Sequence, residues 1–451
     1  MREAVPWLED SLFGSTLLDA PLVAGPLPTA ITATGAVGAV YLLARRGVRW
    51  WTRAVPIGLL VGVSVAGLAV GVVAVFRPFP DPLPVRILLW IGVAAAGCSL
   101  AWANMRAGRR RQVLAVLALL AVLATSGVKA NAVYGYRPTL AAALGVPAAN
   151  EIDLRSLSRT EQLVVAPVGL PTAATWHRPP HMPATGKIAE AEIPGRTSGF
   201  TARSAWIYLP PAYLSSSRPR LPVLVLIPGQ PGGPEDWLLG GRLAEVADRF
   251  AAAHDGLAPV VIVPDVTGSS IGNPMCLDSP LGRAETYLAT DVPEWAAANL
   301  QVDPERRAIG GFSFGGTCAL QLAVRRPDVY PTFLDISGQA EPTLGDHAQT
   351  VQAAFGGDEA AFRRVNPLDE LRGATFPRSA GVFAVGRDDP DFRPQAEEMT
   401  GAARAAGMGA SLHEVPGGHS WSTASEALGL ALPWISARTG LLDPALNPPP
   451  A

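Results

Sequence analysis

Arg307-Ala308-Ile309-Gly310-Gly311-Phe312-Ser313-Phe314-Gly315-Gly316-Thr317-Cys318 is the stretch on which the reading of this 451-residue chain turns. A short apolar run, 307–310, leads into Gly-x-Ser-x-Gly, and a helix-forming stretch, 314–325, follows at once. A serine on so sharp a strand-to-helix turn takes a strained backbone. Glycines two residues to either side remove the side chains that would collide as strand and helix close up. The helix N-terminus behind the serine favours negative charge as it develops. A bare Gly-x-Ser-x-Gly is common, and a plain glycine-rich turn is the alternative. The strand before, the helix after and the four flanking glycines make Ser313 the candidate nucleophile.

Outward from that turn, apolar β-rich runs at 222–227, 259–263, 307–310, 332–336, 381–385 and 411–415 alternate with helical stretches at 241–254, 285–299, 314–325, 394–406 and 423–436. The alternation predicts an α/β domain over 203–440 with a mostly parallel, doubly wound sheet. Runs that are apolar throughout imply burial on both faces. In such a sheet active residues lie beyond the carboxyl ends of the strands. Prolines break up the preceding segment, 135–202, which reads as a stalk feeding an early strand pair, 187–193 and 205–209. Residues 441–451 read as a tail.

A serine hydroxyl is a poor nucleophile at neutral pH and needs a base, which needs an orienting acid. For the order serine, acid, histidine, only His413 and His419 come late enough. His413 falls inside the last apolar run, where packing on the sheet explains it. His419 follows that run in Pro416-Gly417-Gly418-His419-Ser420-Trp421, a loop able to carry an imidazole over the neighbouring turn, and is preferred. The acid should follow the preceding strand, where Gly386-Arg387-Asp388-Asp389-Pro390-Asp391 offers three aspartates. Asp389 is the first choice, then Asp391, then Asp388. Two convergent backbone N–H groups would hold an oxyanion. Phe314, next to the serine, supplies one, and Gln230 in Pro228-Gly229-Gln230-Pro231-Gly232-Gly233 supplies the other, since Pro231 has no N–H.

These residues carry a resemblance. From about 186 to 435 the chain resembles the esterase D and mycolyltransferase-like branch of the α/β-hydrolases. The matching features are the Gly229 loop followed by Trp237, then Val263-Pro264-Asp265, then Glu285-Thr286-Tyr287-Leu288, the serine turn, and Gly418-His419-Ser420-Trp421. The resemblance implies acyl-ester chemistry with Ser313, Asp389 and His419 as a triad, and a substrate cleft lined by Trp421 and Trp237. Two features depart from it. Pro228-Gly229 stands where His-Gly is usual, and the sugar-binding arginine of mycolyltransferases is missing from 230–233. Hydrolysis and transfer to a sugar or glycolipid hydroxyl are both left open.

Only 16% of the residues are charged, against about 25% in ordinary soluble domains. The deficit sits at the start of the chain. Residues 20–44, 54–76, 87–105 and 112–128 carry no charged side chain, in gaps of 25, 23, 19 and 17 residues. A helix needs about 20 apolar residues to cross the hydrocarbon slab, with 17 acceptable. All four qualify, the fourth by running on past Lys129 toward Tyr136 with that lysine snorkelling. Residues 1–134 are therefore expected to form a four-helix transmembrane unit. A leader in which Arg2 is outnumbered by Glu3, Glu9, Asp10 and Asp19 does not read as a cleavable signal. Arginines 45, 46, 49 and 53 follow the first span and arginines 106, 109, 110 and 111 the third. Basic loops stay in the cytoplasm, so the N-terminus and everything beyond about residue 135 are expected outside, on a multi-pass plasma-membrane protein. The resemblance adds that such an anchor is like membrane-tethered actinobacterial members of the broader family.

A net charge of −2, from 36 basic and 38 acidic residues, excludes a nucleic-acid-binding field. The resemblance implies an acyl ester or lipid as substrate, and no cofactor is expected. His177 and His181 are spaced i, i+4, but the intervening prolines forbid the helix a metal pair would need. Outside the cell Cys276 and Cys318 could oxidise to a disulfide pinning the 273–279 loop beside the site, with two buried thiols as the alternative. The reading from another class is a hydrolase-fold membrane assembly partner without activity.

Overall fold

The computed structural model describes residues 17–77, 80–146 and 150–448. The chain divides into two compact units, 1–147 and 148–451. Within the first, four helices are long and apolar enough to cross a membrane: α1 (Pro26–Leu43), α2 (Trp50–Phe76), α3 (Val85–Asn104) and α4 (Arg109–Tyr134). At 1.5 Å per residue the shortest, α1 with 18 residues, spans about 27 Å. α4 runs on to Tyr134 through Lys129. Small residues set the packing by letting helix backbones approach closely. A methyl at Gly38 would lie 2.7 Å from the Ala118 carbonyl oxygen of α4, and one at Gly62 would lie 2.6 Å from the Gly92 oxygen of α3. One end carries a buried polar knot, in which Asn104 donates to the Leu100 oxygen at 2.8 Å and accepts from Arg111 Nε at 2.8 Å.

In the second unit eight strands form one sheet. They are β1 (Lys187–Ala191), β2 (Ala205–Leu209), β3 (Leu221–Ile227), β4 (Val260–Val263), β5 (Val302–Phe312), β6 (Thr332–Ile336), β7 (Ala380–Gly386) and β8 (Gly409–Val415). Their spatial order is β8-β7-β6-β5-β3-β4-β2-β1. β3 to β8 run parallel, and β2 is antiparallel to both β4 and β1. β3, β4, β6 and β7 are buried along their whole length, as strands covered on both faces must be. Helices α5 (Leu243–Ala252), α6 (Val292–Asn299), α7 (Phe314–Arg325), α8 (Arg393–Ala405) and α9 (Trp421–Arg438) cover the sheet. The chain winds one way from β3 to β4 and the other way to β5, so the switch point lies between the carboxyl ends of β3 and β5.

Several elements differ from expectation. β5 is longer than 307–310, because residues 303–306, three of them charged, continue it back to Val302 beside Leu221. The helix expected over 285–299 is interrupted by a π-helical turn, Tyr287–Asp291. Three unanticipated helices, His347–Phe355, Glu359–Arg363 and Pro367–Gly373, lie between β6 and β7. Asp346 and Asp358 cap the first two by accepting from Gln349 N and Ala361 N. Leu441 and Leu442 are buried.

Candidate active site

Ser313 links β5 to α7 with φ 58° and ψ −121°, a conformation that non-glycine residues rarely adopt and that surrounding structure must impose. The constraints are local. Ser313 N donates to the Ile336 oxygen of β6 at 2.8 Å, and its own carbonyl accepts from Gly316 N at 2.8 Å. The flanking glycines have no room for a methyl: at Gly311 it would lie 2.2 Å from the Gly315 oxygen, and at Gly315 2.2 Å from the Ile227 oxygen that ends β3. α7 therefore begins directly against the loop that follows β3.

β7 and β8 deliver the partners. Asp388 N donates to the Gly417 oxygen at 2.9 Å, and a methyl at Gly386 would lie 2.4 Å from that oxygen, so the two loops close on each other. Gly417, with φ 101°, makes the turn. His419 then stands between serine and acid, with Nε2 2.9 Å from Ser313 Oγ and Nδ1 3.0 Å from Asp389 Oδ2. Asp389 is 3% exposed and its Oδ1 accepts from Phe392 N at 3.3 Å. The imidazole lies between two phenyl rings, stacked on Phe392 at 4.0 Å between centroids and tilted against Phe312 at 4.8 Å. With an oriented ring and an acid fixed at the far nitrogen, the group can take a proton from Ser313 and return it.

The loop after β3 is held from outside. Gly232 N donates to the Ser270 oxygen at 2.9 Å, Gln230 Nε2 to the Ile271 oxygen at 3.1 Å, and Gly233 N to Asp236 Oδ2 at 2.8 Å. Arg203 reaches Gly232 O at 2.8 Å while paired with Asp265 at 2.9 Å. Burial pushes the Asp265 carboxyl up, but its hydrogen bonds and charge pairing with Arg203 outweigh that and hold it below the usual carboxylate range.

Under the joint, buried Asp335 of β6 accepts from Gly338 N at 2.8 Å and crowds Gly316, where a methyl would lie 2.4 Å from its Oδ1. Burial pushes this carboxyl up to about 7. Cys276 and Cys318 form a disulfide with Cα atoms 5.5 Å apart, joining the 273–279 loop to the second turn of α7.

The structure brings together Ser313, His419 and Asp389 and leaves the competitors apart. Asp388 and Asp391 are exposed, and His413 lies in β8 with Nε2 2.9 Å from Ser411 Oγ. Phe314 opens α7, where helical geometry gives its N–H no carbonyl partner within the helix. The cleft expectation for the tryptophans needs correction. Trp237 is 0% and Trp421 1% exposed, packed edge to face with centroids 5.3 Å apart. The Trp237 indole N–H donates to the Ile227 oxygen at 2.9 Å, so both are core beneath the site. Sequence reasoning missed Phe312, Phe392 and Arg203. The pair Arg203 and Asp265 could have been found from the antiparallel return of β2, which sets residue 203 beside the end of β4. His177 and His181 are exposed, and among the described residues no cluster could hold a metal ion.

The sheet order, with a strained serine at the switch point and a histidine after the last strand, defines an α/β-hydrolase. Within that class, the Esterase family, described as Putative esterase, matches residues 201–435. An uncharacterised protein of Corynebacterium glutamicum is 36% identical over 448 residues, 96% of this chain and 99% of that one. An S-formylglutathione hydrolase of Paracoccus denitrificans is 27% identical over 38% of this chain and 64% of its own. A diacylglycerol acyltransferase/mycolyltransferase of Mycobacterium leprae is 25% identical over 23% of this chain and 31% of its own. A solved ferulic acid esterase shares the fold, with TM-score 0.50 and 21% identity over 56% of this chain and 99% of that one. The chain belongs to this esterase family and is a serine hydrolase, of a kind in which acyl transfer also occurs.

Proposed function

We propose that the chain is a membrane-anchored serine esterase whose catalytic unit works outside the cytoplasm on acyl esters of cell-envelope lipids. The observation that carries the chemistry is the position of His419, 2.9 Å from Ser313 Oγ and 3.0 Å from Asp389 Oδ2. Ser313 Oγ attacks the ester carbonyl as His419 Nε2 takes its proton. Asp389 keeps the ring oriented and stabilises the imidazolium, and the N–H groups of Gln230 and Phe314 hold the oxyanion. His419 then protonates the leaving alcohol. Water, deprotonated by His419, releases the acid from the acyl-enzyme and restores the Ser313 hydroxyl. Sidedness rests on the two four-arginine loops, and the lipid substrate on proximity to a bilayer.

Transfer of the acyl group to a sugar hydroxyl is the second reading, favoured by the likeness to the mycolyltransferase. The test supplies the full-length protein with a p-nitrophenyl ester, with and without trehalose. Free acid alone supports the esterase, and acylated sugar the transferase. Ester turnover that survives Ser313→Ala sinks both.

A further inference from the structure

The oxyanion loop, 228–233, has no regular secondary structure, yet it must hold the Gln230 N–H to within a fraction of an ångström for the donor to act on a transition state. Asp236 holds Gly233 and the Gln230 amide reaches the Ile271 oxygen, and Arg203 ties down Gly232 between them. β2 runs antiparallel to β4, with Trp206 opposite Val263, which brings Arg203 just ahead of β2 alongside Asp265 just past β4. Asp265 is fully buried. It accepts from Arg203 N at 2.7 Å, Nε at 3.1 Å and an Nη at 2.9 Å, so the guanidinium plane has no freedom to turn. In that fixed plane the same Nη that meets Asp265 lies 2.8 Å from the Gly232 oxygen and 2.9 Å from Thr267 Oγ1, so its two hydrogens are shared among three acceptors. The other Nη is 3.4 Å from Ser270 Oγ. Ser270 O in turn receives Gly232 N at 2.9 Å. Both backbone polar groups of Gly232, two residues beyond Gln230, are thus fixed by one assembly that contains no member of the triad.

We infer that Arg203, locked by Asp265, is a positioning residue that sets the Gln230 N–H for oxyanion stabilisation. The inference rests on the triad and oxyanion reading above. A planar fork is required, because a lysine ammonium is a single point of charge and cannot hold the carboxylate in two places while reaching Gly232.

Arg203→Lys and Arg203→Met full-length proteins test it. Active centres are first counted with a fluorophosphonate, so that turnover is expressed per labelled Ser313. Turnover of p-nitrophenyl butyrate per active centre is expected to fall about 10- to 100-fold in both, with KM within about twofold of wild type. Affinity for phenylboronic acid, which forms a tetrahedral adduct on the serine, is expected to fall by a similar factor. A role confined to stability would lower the melting temperature and the number of active centres while leaving turnover per centre and boronate affinity intact, and that result overturns the inference. So does a rise in KM with kcat unchanged. Should Arg203→Met not fold, Thr267→Val removes one partner of the guanidinium and is expected to cost severalfold in kcat, an unchanged kcat counting against the clamp. If wild type takes no label, the esterase reading fails as a whole. If wild type is labelled and the variants keep their turnover, the clamp alone fails.

Discussion

Glycine is spaced singly along the helices of the first unit and clustered at the serine turn of the α/β unit, and the two usages carry different consequences. Gly38 and Gly62 each let one helix approach one neighbour, with a methyl meeting a backbone oxygen at 2.7 and 2.6 Å. Gly311, Gly315 and Gly316 serve a single joint, where the methyl would meet its nearest atom at 2.2 to 2.4 Å and where strand, helix, oxyanion loop and buried Asp335 all meet. The helix contacts are separate from one another, so damage to one is local to that pair. At the joint one displacement moves the nucleophile and the oxyanion donor together. The α/β unit is thus expected to lose chemistry where the helical unit loses stability.

The largest effect expected is at the acid. Asp389→Asn is expected to lower kcat for ester hydrolysis by about 10⁴-fold, because the amide cannot hold the ring in its working tautomer. Asp388→Asn and Asp391→Asn, both exposed, should stay within about twofold. An Asp388 variant as damaged as Asp389 would break the assignment.

Next comes the glycine comparison itself. Gly315→Ala must displace the Ile227 backbone and is expected to cost about 100-fold in kcat. Gly62→Ala should lower the melting temperature of the detergent-solubilised protein and leave kcat unchanged. Equal losses of activity in the two would erase the distinction drawn here. A Cys276→Ser/Cys318→Ser double variant is expected to lose about 2–4 kcal/mol in denaturant unfolding of the α/β unit.

The last effect is pH-dependent. Asp335 has its pKa raised from 3.8 to about 7, so the folded state binds a proton that the unfolded chain has released. Its contribution is therefore fully present below pH 4, is lost as pH rises from about 4 to 7, and is level above that. Asp335→Asn keeps an acceptor for Gly338 N without the ionisation. The melting temperature of the variant minus that of wild type should grow across that window. A difference that stays flat from pH 4 to 8 would show that the folded protein does not hold the Asp335 carboxyl above its ordinary value.

Much of the site was legible because the serine, histidine and acid each follow a strand, and strand ends are marked in sequence by glycine and by the loss of apolar run. Ser313 and His419 could be placed on that ground together with the glycines beside them, whereas Asp388, Asp389 and Asp391 all follow the same strand and the strand end does not rank them. What could not be read is lateral. Phe392 reaches the imidazole from the first turns after β7, and nothing in Asp391-Phe392-Arg393 sets it apart from any loop phenylalanine. The resemblance implied that Trp237 and Trp421 are cleft walls, yet their side chains turn inward to meet each other. The helices between β6 and β7 were missed although Asp346 and Gln349 have capping spacing, because the segment lacks a long apolar stripe. The four long apolar helices were plain because an uninterrupted apolar length is itself visible in sequence.

The most direct test of the central claim is mass mapping of a fluorophosphonate adduct on the folded full-length protein. The account predicts one adduct, on Ser313, absent from Ser313→Ala and strongly slowed in His419→Ala. A folded wild type that takes no adduct, or takes it at another serine, contradicts it.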